Sequence, residues 1–135
     1  MELLKLSILS PERRLAEGLV VEEVNLPGTQ GQVQILPSHA PIVGVLQTGP
    51  FSYKKPGSEP VLGVISTGFF EVLGNHVRLM VETLELKGEI DLDRARKAQE
   101  MAEETLQKAN LDEHQFRKYQ LKLQRAIIRQ QVAGH

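Results

Sequence analysis

Apolar and polar residues alternate along the first two thirds of the chain. The alternation occurs in short runs that Gly or Pro interrupts, at residues 4–8, 19–26, 31–35, 42–46, 51–55, 61–66, 69–73 and 77–81. A period of two is typical of half-buried β-strands. Many short strands with close turns predict an antiparallel sandwich or barrel. Gly74-Asn75, between the last two runs, is a favoured two-residue hairpin turn.

The period changes after Gly88 to the three- and four-residue spacing of amphipathic helices. Asp91 is the predicted N-cap of a first helix, Asn110 its predicted C′ residue, and Asp112 with Gln115 resembles a capping box for a second helix. The first stripe is rich in alanine: Leu92, Ala95, Ala98, Ala102, Leu106 and Ala109. The second stripe comprises Phe116, Tyr119, Leu123, Ala126, Ile127 and Gln130. A short connection between two such helices predicts an antiparallel hairpin.

These patterns predict an N-terminal antiparallel β-sandwich followed by a C-terminal antiparallel two-helix hairpin. We expect one domain over residues 1–87, another over residues 88–135, and a linker at residues 84–89. The stripe of small side chains buries little apolar area, so we expect the hairpin to be weakly held.

A rigid corner is predicted where the strand at residues 31–35 ends. Pro37 has no N–H to donate to the ladder, and Pro41 favours an extended conformation at Ala40. Ser38, His39 and Ala40, here called the corner, therefore lie between two prolines. A stiff exposed corner at the end of a sheet suits contact with a partner.

Composition excludes several function classes. The 135 residues include 16 Lys or Arg and 17 Asp or Glu, a net charge of −1 that gives no basic field for nucleic acid. Cysteine is absent, and the longest near-apolar run, residues 40–46, is far shorter than the roughly 20 residues of a membrane span. No signal peptide, metal-ligand spacing, phosphate loop or catalytic triad is visible, so we expect a soluble, cytosolic protein without catalytic or metal residues.

The second helix carries an uneven charge. After Asp112 and Glu113 its charged residues are all basic: Arg117, Lys118, Lys122, Arg125 and Arg129. One interpretation is that these residues form a solvent-exposed face, with acidic residues near the start of the helix and basic residues after them, as the helix dipole favours. The other is a segment that contacts an acidic partner, with Arg125 and Arg129 one turn apart and able to grip a phosphate chain.

Three ordered motifs resemble the epsilon subunit of F-type ATP synthase over essentially the whole chain. That family's loop typically follows G-x-L-G-I-L-P-G/N-H-A-P, matched here by Gly31, Ile35, Leu36, Pro37, His39, Ala40 and Pro41. Residues 67–72, TGFFEV, resemble G-G-F-x-E-V, and residues 90–95, IDLDRA, fit [IL]-D-x-x-R-A. This chain departs from the family's motifs at four positions: Val33, Gln34, Ser38 and Thr67. These departures do not affect the predicted fold, but the motifs do not specify the exact conformation of the loop.

The resemblance implies a non-catalytic central-stalk, or rotor, subunit that couples proton-driven rotation to ATP synthesis and needs no cofactor. Its implied partners are the gamma subunit, the membrane c-ring and, in an extended state, the alpha/beta catalytic head. Gln32, Ser38 and His39 would face the c-ring; the alternative for His39 is that it caps its own loop. The implied location is peripheral, at the cytoplasmic face of the inner membrane or its stromal thylakoid equivalent, with membrane contact only through the c-ring.

The resemblance also implies that the hairpin regulates ATP hydrolysis. The inhibitory arm would be Arg117, Lys118, Lys122, Arg125 and Arg129. A regulatory ATP would be held by Asp91, Arg94, Arg125 and Arg129, although an N-cap role alone already explains Asp91. The alternative functions are a free-standing β-sandwich binding module with a helical dimerisation tail, which predicts exposed aromatics such as Phe69 or Phe70, and a soluble ATP sensor.

Overall fold

Over the residues that the structure describes, the chain forms ten strands followed by two helices. The computed structural model describes residues 2–12, 14–108 and 110–134, so Ala109 of the predicted first stripe lies outside the described residues. The strands are β1 Leu4–Leu9, β2 Arg14–Val21, β3 Glu23–Gly28, β4 Gly31–Ile35, β5 Ile42–Leu46, β6 Gly49–Lys54, β7 Val61–Ile65, β8 Gly68–Leu73, β9 His76–Val81 and β10 Leu84–Leu86. A 3₁₀ turn at Lys87–Glu89 precedes α1, Leu92–Leu106, and α2, Glu113–Ala133. Two compact units result, Met1–Leu86 and Lys87–His135.

The strands of the first unit follow one hydrogen-bonded path, β10-β7-β6-β3-β5-β8-β9-β1-β2, with β4 paired to β3 beside it. Neighbours are antiparallel except β1 and β9, which run parallel from Lys5 opposite His76 to Leu9 opposite Met80. The predicted antiparallel sandwich is therefore confirmed with one parallel pair added. This pair joins the start of the unit to its last long strand.

Alternation along each strand places one set of side chains in a shared core. In β1 the buried residues are Leu4, Leu6 and Ile8, and in β9 they are Val77, Leu79 and Val81. The core cluster of buried residues takes every member from residues 4–84. Most of the apolar free energy of this chain is thus gained within the first unit.

Two boundaries differ from the prediction. The run at residues 19–26 is two strands, because Val21 pairs with Leu4 in β1 while Glu23 pairs with Lys54 in β6. Residues 84–86 of the predicted linker form β10, where Leu84 pairs with Ile65 of β7. A short edge strand with a single buried leucine has almost no alternation from which it could be predicted.

The turn at Gly74-Asn75 has the predicted geometry. Both residues have positive φ, 57° at Gly74 and 63° at Asn75, as a type I′ hairpin turn requires. The register closes directly around the turn, with Leu73 opposite His76. Asn tolerates this left-handed conformation better than most residues with a side chain.

The two helices begin at the predicted N-caps. Asp91 accepts a hydrogen bond from the Arg94 amide at 3.1 Å, and Asp112 accepts one from the Gln115 amide at 2.7 Å. The predicted C′ residue is wrong: α1 ends at Leu106 with Gln107 as C-cap, so Asn110 lies in the connection. The side chains buried in the helices are small: Ala95, Ala102, Ala126 and Val132.

The helices are antiparallel and offset along their axes. The Gln130 side chain donates to Gln99 Oε1 at 2.5 Å, while Leu106 and Leu123 line one hollow. The first turns of α2 therefore project beyond the end of α1. This offset explains why Phe116, placed on the predicted stripe, is 43% exposed.

Candidate functional site

The corner begins with a tight turn at Pro37-Ser38. The His39 amide donates to the Leu36 carbonyl at 3.2 Å, and Ser38 has φ +66°. Proline followed by a left-handed residue is the arrangement of a type II turn, in which Gly or Asn usually occupies the second position. Ser38 therefore holds a backbone conformation that its Cβ disfavours.

Two distant segments contact Ser38. Its amide donates to Asn75 Oδ1 at 2.6 Å, and its hydroxyl donates to Glu2 Oε2 at 2.5 Å. The Asn75 side-chain amide donates to the same Glu2 oxygen at 3.5 Å. Hydrogen bonds from Ser38 first and Asn75 second lower the pKa of the Glu2 carboxyl. We call Glu2, Ser38 and Asn75 the Ser38 clamp.

The three residues predicted to face the c-ring are not in one cluster. Ser38 and His39 follow the end of β4, whereas Gln32 lies near its start, opposite Pro27. Ile35 is the last residue of β4. At about 3.3 Å per residue, Gln32 lies roughly 10 Å along the strand from that end. The His39 ring contacts its own loop, with Nδ1 2.6 Å from the Ala40 carbonyl oxygen, the local role named above as the alternative.

The four residues implied for ATP lie on both helices of the second unit. Asp91 and Arg94 are exposed at the start of α1, and Arg125 and Arg129 are half-buried on α2. With the Gln99–Gln130 contact as reference, Arg94 and Arg129 are separated by about 9 Å along the axes at 1.5 Å per residue. Arg125 is farther away, about 15 Å from Arg94 on the same register, so the four residues are spread along the hairpin rather than gathered in one cluster.

The basic residues of α2 divide into two groups. Arg117, Lys118 and Lys122 are exposed, while Arg125 and Arg129 are half-buried. The ammonium groups of Lys118 and Lys122 lie 5.9 and 5.0 Å from the centre of the Tyr119 ring. These distances are within the range of cation–π attraction, which holds the two lysines around the tyrosine.

An exposed apolar row, which was not among the predicted sites, crosses four strands of the first unit. In register, Val45 lies opposite Phe69, Phe69 opposite Met80, and Met80 opposite Leu9. The exposed fractions of these four side chains lie between 38% and 56%. On the adjacent rung Arg78 lies 4.0 Å from Glu71, and Val43, opposite Glu71, is 73% exposed and extends the apolar surface. An exposed apolar surface bordered by charged side chains is typical of a protein interface.

Strand alternation could have revealed this row. Phe70 and Val72 point into the core, so Phe69 must point outwards beside Glu71. Phe70 is only 2% exposed, so it cannot stack on a sugar, and Phe69 belongs to the apolar row. The alternative of an aromatic sugar-binding face therefore lacks a pair of exposed rings at this position.

Within the described part of the chain, no group of three or more His, Cys, Asp and Glu side chains could hold a metal ion. Over the same residues, none of the helices combines the length and apolar character needed to cross a bilayer.

Solved structures with a similar fold are parts of ATP synthases. One is a chain in the Euglena gracilis mitochondrial ATP synthase, OSCP/F1/c-ring assembly, with a TM-score of 0.86, 22% identity, and coverage of 98% of this chain and 82% of that one. Another is in the Tetrahymena thermophila mitochondrial ATP synthase central stalk/c-ring, with a TM-score of 0.69, 12% identity and 96% coverage of both chains. At these identities the likeness concerns the fold.

Sequence comparison is more specific. Residues 3–87 match the family described as ATP synthase, Delta/Epsilon chain, beta-sandwich domain, and residues 89–134 match its long alpha-helix domain. ATP synthase epsilon chains of Trichlorobacter lovleyi and Geotalea daltonii are each 41% identical over 133 residues, 98% of this chain and 95% of theirs. The chain therefore belongs to the delta/epsilon chain family of ATP synthase.

Proposed function

We propose that this chain is the epsilon-type subunit of a rotary ATP synthase, a non-catalytic part of the central stalk that couples rotation to ATP synthesis and regulates ATP hydrolysis. The observation that carries the proposal is the ordered match of both units to the two domains of one family, with 41% identity to an epsilon chain over 98% of the sequence. Its partners would be the gamma subunit, the c-ring and the alpha/beta catalytic head. Residues 1–87 would bind the rotor, and residues 88–135 would regulate.

The apolar row is the surface that we assign to gamma. A permanent partner best offsets the cost of leaving four adjacent large apolar side chains exposed. Phe69→Ser should therefore weaken co-purification with gamma at least tenfold. Leu73→Ser is the matched control, because Leu73 is equally exposed on the same strand but lies outside the row. Equal loss of gamma in both variants would argue against this assignment.

The corner is the surface that we assign to the c-ring, with Gln32 as a separate contact at the other end of β4. The chain would then sit at the cytoplasmic face of the inner membrane, or the stromal face of a thylakoid, and meet the membrane only through the ring. His39→Ala should change the free energy of unfolding by less than about 0.5 kcal/mol. His39→Glu should lower ATP-driven proton pumping per ATP hydrolysed, and normal pumping in that variant would exclude the corner as a ring contact.

The hairpin is the regulatory element in this proposal. The alanine interface has little apolar area to lose, so the hairpin can exchange between a folded and an extended state. The extended state would present the inhibitory arm to the acidic surface of the head. ATP would favour the folded state, since only there can Asp91 and Arg94 share a ligand with Arg125 and Arg129.

The decisive experiment is deletion of residues 89–135 in the assembled enzyme. We expect faster ATP hydrolysis with rotation retained. Arg125→Glu with Arg129→Glu should have the same effect and should remove any protection of the hairpin by ATP in hydrogen exchange. Unchanged hydrolysis after the deletion would show that this chain keeps the hairpin without an inhibitory role.

A further inference from the structure

The corner is tied to the sheet by the Ser38 clamp, whose members lie at residues 2, 38 and 75. Asn75 is itself fixed, because its carbonyl accepts the Lys5 amide at 2.9 Å and its φ of +63° belongs to the type I′ turn. Its side chain then holds the Ser38 amide at 2.6 Å. A continuous series of hydrogen bonds thus runs from β1 through the β8–β9 turn to the corner.

The hydrogen bond inside the turn does not by itself explain why Ser38 keeps a left-handed backbone conformation. The His39 amide to Leu36 carbonyl bond closes the turn, yet a serine at φ +66° still carries the steric penalty that glycine would avoid. Asn75 and Glu2 bind the amide and the hydroxyl of that same serine. Both bonds are lost if Ser38 relaxes to a right-handed or extended backbone, so the clamp selects the left-handed one.

We propose that Asn75 and Glu2 are positioning residues that fix the direction in which the corner presents His39 to the c-ring. The inference rests on the proposed function for the ring contact, and adds residues outside the corner to it. His39 follows Ser38 directly, so the Ser38 backbone sets where the imidazole and its contact with the Ala40 carbonyl lie. The Ser38–Asn75 bond thus adds a link between the corner and the β8–β9 turn, besides the covalent connections to β4 and β5.

The test begins with the isolated full chain. Asn75→Gly keeps a residue suited to positive φ and removes only the side-chain amide, so the turn itself should persist. Hydrogen exchange of the Ser38 and His39 amides should accelerate at least tenfold, with exchange in β1 and β9 unchanged. Glu2→Gln should give a smaller acceleration. Asn75→Asp combined with Glu2→Gln keeps an acceptor oxygen for the Ser38 amide without bringing two carboxylates together, and should return exchange at Ser38 to the Glu2→Gln level.

The second step measures ATP-driven proton pumping per ATP hydrolysed in the assembled enzyme. Asn75→Gly should lower the ratio at least twofold, and Asn75→Asp combined with Glu2→Gln should recover most of it. Unchanged corner exchange in Asn75→Gly would overturn the inference without reference to the ring. Accelerated exchange with normal pumping would also overturn it, and would leave the ring contact standing if His39→Glu still uncouples. Normal pumping in His39→Glu would instead reject the proposed contact itself.

Discussion

Gly44 lies opposite Phe70 in the ladder between β5 and β8, and the aromatic ring covers the glycine backbone. A Cβ at position 44 would lie 2.4 Å from Phe70 Cε1, far inside van der Waals contact. The ring is only 2% exposed, so a methyl group at position 44 would have to displace a packed core side chain. Glycine is therefore required at position 44 because the Phe70 ring occupies the space of a side chain, and not because of the backbone conformation.

Gly44→Ala should accordingly destabilise the chain by about 1–3 kcal/mol, the usual cost of overpacking a core. Denaturant unfolding of the isolated chain measures it. Val43→Ala is the control, since Val43 is 73% exposed and its truncation should cost less than about 0.5 kcal/mol. Equal stability of Gly44→Ala and the parent would mean that Phe70 has room to shift.

The hydrogen bonds of Glu2 should make the stability of the corner depend on pH. Because the Ser38 and Asn75 hydrogen bonds lower its pKa, the carboxylate contributes stability above its ordinary pKa of about 4.3 and loses it as pH falls through the lowered value. The Ser38 amide chemical shift should therefore titrate in the acid range below that value. Glu2→Gln should abolish the titration, and a persistent titration would place its origin in another group.

Sequence patterns predicted the strand end at Pro37 and the turn at Gly74-Asn75, but they did not predict that these two segments would be in contact. Pro37 ended the strand and Gly74-Asn75 formed the turn as expected, because both effects are local. The contact between Ser38 and Asn75 spans 37 residues and depends on the antiparallel register of β5 and β8, in which Ile42 lies opposite Val72. Alternation identifies the face of a strand, but it does not specify which strand is the neighbour.

At the scale of a secondary-structure element, local chemistry determines where each of the two helices begins. Asp91 and Asp112 were predictable because the first-turn amides need acceptors. The offset between α1 and α2 was not predictable, since alanine stripes fit one another at several registers. Here the Gln99–Gln130 hydrogen bond marks the observed register, and it places Phe116 in solvent.

Asp91 has one observed role and one proposed role, and two substitutions separate them. Asp91→Ser retains an N-cap acceptor, whereas Asp91→Ala should cost the hairpin about 1 kcal/mol. Hydrogen exchange in α1 should thus accelerate only in the alanine variant. If Asp91 also binds ATP, the serine variant should lose protection by ATP while keeping its helix, and full protection would leave Asp91 as a cap alone.

At the scale of the whole molecule, the two units differ in how their apolar area is distributed. The buried core cluster lies within residues 4–84, and the buried helix residues are three alanines and a valine. The first unit therefore has the larger share of burial per residue. Independent stability should follow the same division.

A chain of residues 1–87 should consequently unfold in one cooperative transition and still bind gamma. Calorimetry measures the first property and co-purification the second. The substitution Phe69→Ser in this shortened chain is the control for specific binding. A broad, non-cooperative transition would show that the helices are required for the fold of the strands.

The parallel pair of β1 and β9 has a consequence for synthesis of the chain on the ribosome. Lys5 meets His76, so β1 must wait for about 70 further residues, or roughly 4–14 seconds at about 5–20 residues per second. Until then β1 has only one of its two strand neighbours, the antiparallel β2, and the other edge of its backbone has no ladder partner. Closing so distant a contact is slow, whereas the helices made last form local contacts quickly. The nascent chain thus passes through an interval in which its first strand has an unpaired edge open to wrong strand pairing, and that interval ends when β9 emerges.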